Sequence, residues 1–254
     1  MISLEQLKKE IQSDTILISV MFANNEIGTI QPIEEIGKIA KKNKIYFHTD
    51  AVQAIGNVPI DVKQMNIDLL SLSSHKFYGP KGVGAIYIKN GVNIESIQHG
   101  GHQENDKRAG TENVPGIVGL GKAIEIAQDN LYRHSEKLQE IRDYYIKQIE
   151  MKIPNVKLNG HRTKRLPGNA NISFLGINGE ELLLNLSLKG ICASGGSACN
   201  SSSKSASHVL KAIGLSEDLA HGALRTTFGE DNTLEDIDIV VNELVKIIEK
   251  LRKK

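Results

Sequence analysis

Short apolar runs alternate with helical spacing between Thr15 and Ile88, and this order restricts the fold more than any other feature of the chain. Thr15–Phe22, Ile45–Thr49, Ile67–Leu72 and Gly84–Ile88 are short apolar runs, as expected of buried strands. Between the first two, Ile33, Ile36, Ile39 and Ala40 recur at helical spacing, with Pro32 at a favoured helix start. Strand, helix and strand in that order predict a parallel sheet with crossover helices. The second half reads differently. A mostly helical stretch, Asn113–Met151, leads into a loop-rich region with Pro154, Pro167 and the basic His161–Arg165. A strand near Asn171–Phe174, a helix near Glu180–Leu188, a Gly/Ser-rich loop at Ser194–Ser205 and a strand at Ala223–Phe228 follow. The last helix starts near Thr233, with Glu235 and Asp236 first and Lys/Arg last, matching the helix dipole. A length of 254 residues is enough for two cores. The expected division is a parallel α/β domain over 1–130 and a smaller α+β domain over 131–254.

Three strand ends carry polar groups. The first is Ser73-Ser74-His75-Lys76, followed by a glycine-rich turn. Ligands in parallel α/β sheets bind beyond the carboxyl ends of strands. A lysine there forms a Schiff base if its surroundings keep the amine unprotonated, and Ser73 and His75 are placed to bind a phosphate. The plainer reading is a surface lysine beside a turn. The second is His48-Thr49-Asp50-Ala51-Val52-Gln53. Asp50 is suited to keep the pyridine nitrogen of pyridoxal phosphate protonated, and Gln53 to donate to its phenolic oxygen. Taken alone, Asp50 reads rather as an N-cap on a following helix. The third, around Asn25 in Ala23-Asn24-Asn25-Glu26-Ile27-Gly28, offers a group for the phenolic oxygen or a substrate carboxylate, or is a simple turn.

Of the two cysteines, Cys199 lies among glycines and serines in a loop, where a thiol can ionise and attack. Cys192 is expected in a buried strand with a structural role. Their separation of seven residues does not match zinc-ligand spacing. His99 and His102 read as loop residues, with a metal as the alternative, and His208 and His221 as helix and loop residues. Arg225 in an apolar strand is either ion-paired or binds an anion, with a geometry suited to a carboxylate. A net charge of +1 implies no broad attraction to nucleic acid or membrane, and no apolar run is long enough to span a bilayer. Met1–Glu10 is charged and amphipathic rather than a signal peptide. Two cysteines do not make a disulfide scaffold, so a cytoplasmic setting is expected.

The strings NNEIG, HTDAVQ, SSHKFYGPKGVGA, RAGTEN, SGGSACNSSS and ALRTTFG occur in this order. Together they resemble cysteine desulfurases of the class V aminotransferase group, especially the type that serves iron–sulfur cluster assembly. The resemblance runs over essentially the whole chain. It implies a fold-type I pyridoxal-phosphate large domain, incomplete at the N-terminus, because family members begin with a further segment supplying a phosphate-binding turn and a ring-stacking histidine. His48 does not match that histidine. Lys76 would link the cofactor, Asp50 pair with the ring nitrogen, Gln53 with the phenolic oxygen, and Ser73 and His75 with the phosphate. Asn25 would contact cofactor and substrate, Thr111 the phosphate of a second subunit in a homodimer, and Arg225 the substrate carboxylate. Cys199 would take sulfur from L-cysteine as a persulfide, release alanine, and pass the sulfur to an acceptor or scaffold protein. A selenocysteine lyase or aminotransferase of the same fold, and a truncated or split non-catalytic chain, are the alternatives.

Overall fold

The computed structural model describes residues 1–195 and 206–253. They form two compact units. One comprises Ile2–Phe22 and Gln31–Leu131, the other Met1, Ala23–Ile30 and Tyr132–Lys254.

The first unit opens with α1 (Leu4–Glu10), capped by the Ser3 hydroxyl. Its sheet has the order β1 (Leu17–Met21), β2 (Tyr46–Asp50), β3 (Leu69–Ser73), β4 (Gly84–Ile88). The first three are parallel, as the strand–helix–strand order predicts. The helix α2 (Ile33–Lys42) makes the first crossover and packs against β2. It buries Ile33, Ile36 and Ala40 on one stripe, each isoleucine contributing about 1.5–3 kcal/mol relative to exposure. The second crossover, between Asp50 and Leu69, is built of turns and no helix. The fourth strand departs from the expected parallel sheet. Ten residues separate β3 from β4, too few for a crossover, so β4 returns antiparallel with Ser73 opposite Gly84.

Alternation along the strands divides the sheet into two faces. Ile18, Phe47, Thr49 and Leu70 fill the buried one. Ser19, His48, Asp50, Ser71 and Ser73 share the other, which is more open. After β4 come α3 (Gln103–Asp106), which is broken by positive φ at Glu104 and Asn105, and the long helix α4 (Val114–Lys152).

The second unit holds an antiparallel sheet, β5 (Val156–Leu158), β6 (Asn169–Phe174) and β7 (Ala223–Thr227) in that order. All six residues of the central β6 are buried. Its Ala170, Ile172 and Phe174 join the core formed with α4, α5 (Gly179–Ser187) and α8 (Leu234–Arg252). Its alternate side is polar. Asn159 donates from Nδ2 to Asn171 Oδ1 and Ser173 Oγ, each at 2.8 Å. These amides satisfy groups that burial would otherwise penalise. Two short helices, α6 (His208–Ala212) and α7 (Glu217–His221), complete the unit. The helix α8 starts on a reciprocal capping box between Thr233 and Asp236, and Arg252 at its end donates to the carbonyls of Pro154, Asn155 and Leu175. Among the described residues no helix is long and apolar enough to cross a membrane.

Candidate active site

In the first unit, the carboxyl ends of β2 and β3 bring the predicted polar groups together. Asp50 ends β2 opposite Ser71 of β3, and Ser73 ends β3. Asp50 is half-buried, and its Oδ1 accepts the Val52 N–H at 2.9 Å. No helix follows for it to cap; among the described residues the carboxylate holds a local turn. Gln53 lies half-buried in that turn. After Ser73 the chain folds into a 3-10 turn, Ser74–Phe77. Buried Phe77 pins this turn and leaves His75 and Lys76 exposed. Gly79 closes it. A Cβ there would stand 2.1 Å from Ser74 Oγ, and the Gly79 N–H donates to the Ser74 carbonyl at 3.0 Å. Ser73 Oγ lies 2.8 Å from His75 Nδ1, so hydroxyl and imidazole form one polar pair. Asp50 at the end of β2, Gln53 in the turn after it, and the Ser73–His75 pair with exposed Lys76 after β3 are residues that could hold a pyridine nitrogen, a phenolic oxygen and a phosphate. Thr111 lies exposed outside any element, after Gly110 at φ +100°, whose N–H donates to Gln103 Oε1.

The second unit brings Asn25 and Arg225 together. Arg225, half-buried on β7, donates from Nη1 to the Asn25 carbonyl at 3.2 Å. Its backbone exchanges two hydrogen bonds with Ser194, at 3.0 and 2.6 Å. The arginine is therefore held at both backbone and guanidinium. Cys199 lies outside the described residues. Cys192 corrects an expectation: it is exposed and belongs to no strand. Gly190, at φ +74°, turns the chain out of α5, and Ile191 packs against the core instead. His102 pairs with Asp106 at 2.6 Å, while His208 and His221 begin and end short helices.

Three side chains escaped the sequence reading. His48 bridges β1, β2 and β3, with Nδ1 2.7 Å from Ser19 Oγ and Nε2 2.8 Å from Ser71 Oγ. Burial draws its pKa below the ordinary value, against the opposing pull of Asp50. Arg165 is 3% exposed and donates to the carbonyls of Ile27, His161 and Asn169. Burial, aided by the neighbouring Arg142, lowers it to about 10. Glu26 is 2% exposed, and Ser207 donates to it at 2.5 Å. The one available signal for Glu26 was a charged residue before Ile27-Gly28; its partner lies 181 residues away.

Comparison with known proteins supplies the family. Residues 1–240 match the family Aminotransferase class-V. The chain is 61% identical to "Cysteine desulfurase IscS" of Clostridium botulinum over 254 residues, covering 99% of this chain and 64% of that protein. A solved structure titled "NIFS-LIKE PROTEIN" superposes with a TM-score of 0.89 at 38% identity, over 98% of this chain and 65% of the other. One titled "SspA in complex with cysteine" gives a TM-score of 0.75 at 39% identity, over 91% and 64%. The chain thus spans about 64% of the length of the curated relative it matches.

Proposed function

Because the chain belongs to the class-V aminotransferase family, we propose that it carries the cofactor lysine, substrate arginine and sulfur-accepting cysteine of a pyridoxal-phosphate-dependent cysteine desulfurase. The observation that supports this most is the gathering of Asp50, the Ser73–His75 pair and Lys76 at the ends of two adjacent parallel strands. The names of the relatives point the same way. In this reading residues 1–130 bind the cofactor and 131–254 bear the cysteine.

Bound there, pyridoxal phosphate supplies an electron sink beside the α-carbon of the substrate. Asp50 keeps the ring nitrogen protonated and Gln53 donates to the phenolic oxygen. Ser73 and His75 hold the phosphate, and Thr111 serves the phosphate of a second subunit in a homodimer. Lys76 would be the amine that holds the cofactor and the base that moves the substrate α-proton. Arg225 grips the substrate carboxylate and Asn25 orients substrate and cofactor. The Cys199 thiolate attacks the substrate sulfur, the carbon–sulfur bond breaks with its electron pair passing to the β-carbon, that carbon takes a proton to become the methyl group of alanine, and the persulfide stays on Cys199 for an acceptor protein of iron–sulfur assembly. The reaction belongs in a reducing, cytoplasmic setting, where such a thiol persists.

The test is to supply pyridoxal phosphate, L-cysteine and a dithiol reductant, which reduces the Cys199 persulfide to thiol and sulfide, and to follow alanine and sulfide together. It is run with the chain alone and with a polypeptide matching the rest of the relatives' length. Equal release of the two products, dependent on the cofactor, is expected in at least one arm. Alanine without sulfur transfer, or no product in either arm, sinks the proposal.

A further inference from the structure

The turn that presents Asn25 is held from several sides. Asn24 Oδ1 accepts the N–H groups of Glu26 and Ile27 at 2.9 and 3.0 Å. Asn169 and Asn171 donate to the Glu26 carbonyl at 3.3 and 3.2 Å, and Arg165 donates to the Ile27 carbonyl at 3.0 Å. Ile27 packs in a cluster with Leu210, Leu215, Ala220 and Ala223. The Glu26 carboxyl therefore projects from a fixed platform. The Ser207 hydroxyl donates to its Oε2 and accepts the N–H groups of Val209 and Leu210, at 3.1 and 3.4 Å, as the cap of α6. Donation to the carboxyl aims the hydroxyl's proton away from the helix and leaves its lone pairs for the two amides.

Ser194 is paired with Arg225, and Ser207 is tied to the residue after Asn25. Cys199 lies between the two anchors, five residues from Ser194 and eight from Ser207.

We propose that Glu26 is a positioning residue: through Ser207 it fastens the returning end of the Cys199-bearing segment to the same turn that presents Asn25 to Arg225. The inference rests on the roles given above to Cys199 and Arg225. It ties described residues on both sides of residues 196–205 to the substrate-binding pair.

Four variants test it in the full chain: Glu26→Ala, Glu26→Gln, Ser207→Ala and Ser207→Thr. Hydrogen exchange at the Val209 and Leu210 amides needs neither cofactor nor activity. Exchange is expected to quicken about fivefold in Glu26→Ala and Ser207→Ala, the usual scale for a lost cap, and to stay at the parent rate in Glu26→Gln and Ser207→Thr. In cofactor-loaded protein, kcat for sulfide release falls at least about fivefold in the two alanine variants, while KM for cysteine stays within about twofold because Arg225 is untouched. Parent-like exchange in Glu26→Ala, a change in KM instead of kcat, or failure of Glu26→Gln to restore the parent values overturns the proposal. If Glu26→Ala does not fold, the Ser207 pair decides. If the parent releases no sulfide, the functional reading fails and the exchange rates alone judge the anchor.

Discussion

Replacing Gly37 by alanine sets a helix rule against a packing rule, and the structure decides the sign. Gly37 lies inside α2, where alanine is ordinarily better by about 0.5–1 kcal/mol. A Cβ at Gly37 would stand 1.9 Å from the Met65 carbonyl oxygen and 3.1 Å from its carbon, whereas real contacts do not fall below 3.0 Å. The carbonyl must retreat by about 1 Å, like any overpacked backbone. It sits in a turn that resists this. Asp61 Oδ1 accepts the N–H groups of Lys63 and Gln64 at 2.8 and 2.9 Å, and the Met65 N–H donates to the Asp61 carbonyl at 2.9 Å. Overpacking costs about 1–3 kcal/mol, so after the propensity gain Gly37→Ala destabilises by up to about 2.5 kcal/mol. Gly121 in α4 is exposed, and its added Cβ meets nothing within 4 Å. Gly121→Ala therefore keeps the whole gain of about 0.5–1 kcal/mol. Urea unfolding should move the midpoint in opposite directions for the two variants at unchanged slope. Two equal upward shifts would show that the Met65 turn yields freely and would refute the reasoning.

Other outcomes follow from the same geometry. Gly28→Ala, at φ +71° with Asn169 Oδ1 2.4 Å from the new Cβ, should lose about 1–2 kcal/mol more than Gly176→Ala, at φ +74° with open space around it; equal losses in urea melts would remove the clash argument. His48 is depressed in the folded state, so its contribution to stability is complete above its unfolded pKa of about 6.5 and is lost as pH falls through the lowered folded value. His48→Gln should flatten the decline in stability on the acid side of about pH 6.5, and an unchanged slope counts against the buried clamp. Borohydride reduction with pyridoxal phosphate should leave the pyridoxyl mass on Lys76, a label on Lys81 being the contrary result. Cys199→Ser should stop sulfide release, whereas Cys192→Ser, at an exposed position, should shift stability by no more than about 0.5 kcal/mol and leave turnover alone.

Much of this protein is written locally. The spacing of Ile33, Ile36 and Ala40 makes α2, Thr233 with Asp236 starts α8, and the apolar runs ending at Asp50 and Ser73 become strands whose polar ends meet. These features depend on neighbours a few residues apart, so helical and strand periodicity suffices to read them. The direction of β4 followed from a connection length that the apolar run itself does not encode. The exposure of Cys192 followed from the turn at Gly190, which sends Ile191 inward in its place. Farther pairings left no local trace. Arg225 meets the Asn25 carbonyl across 200 residues, Arg165 the Ile27 carbonyl across 138, and Ser207 meets Glu26 across 181. A buried arginine or glutamate in a polar string reads as solvated until its acceptor or donor is brought to it. Only the packing of distant elements around β6 does that, because a hydrogen bond is specified by where two chains meet and not by either sequence alone.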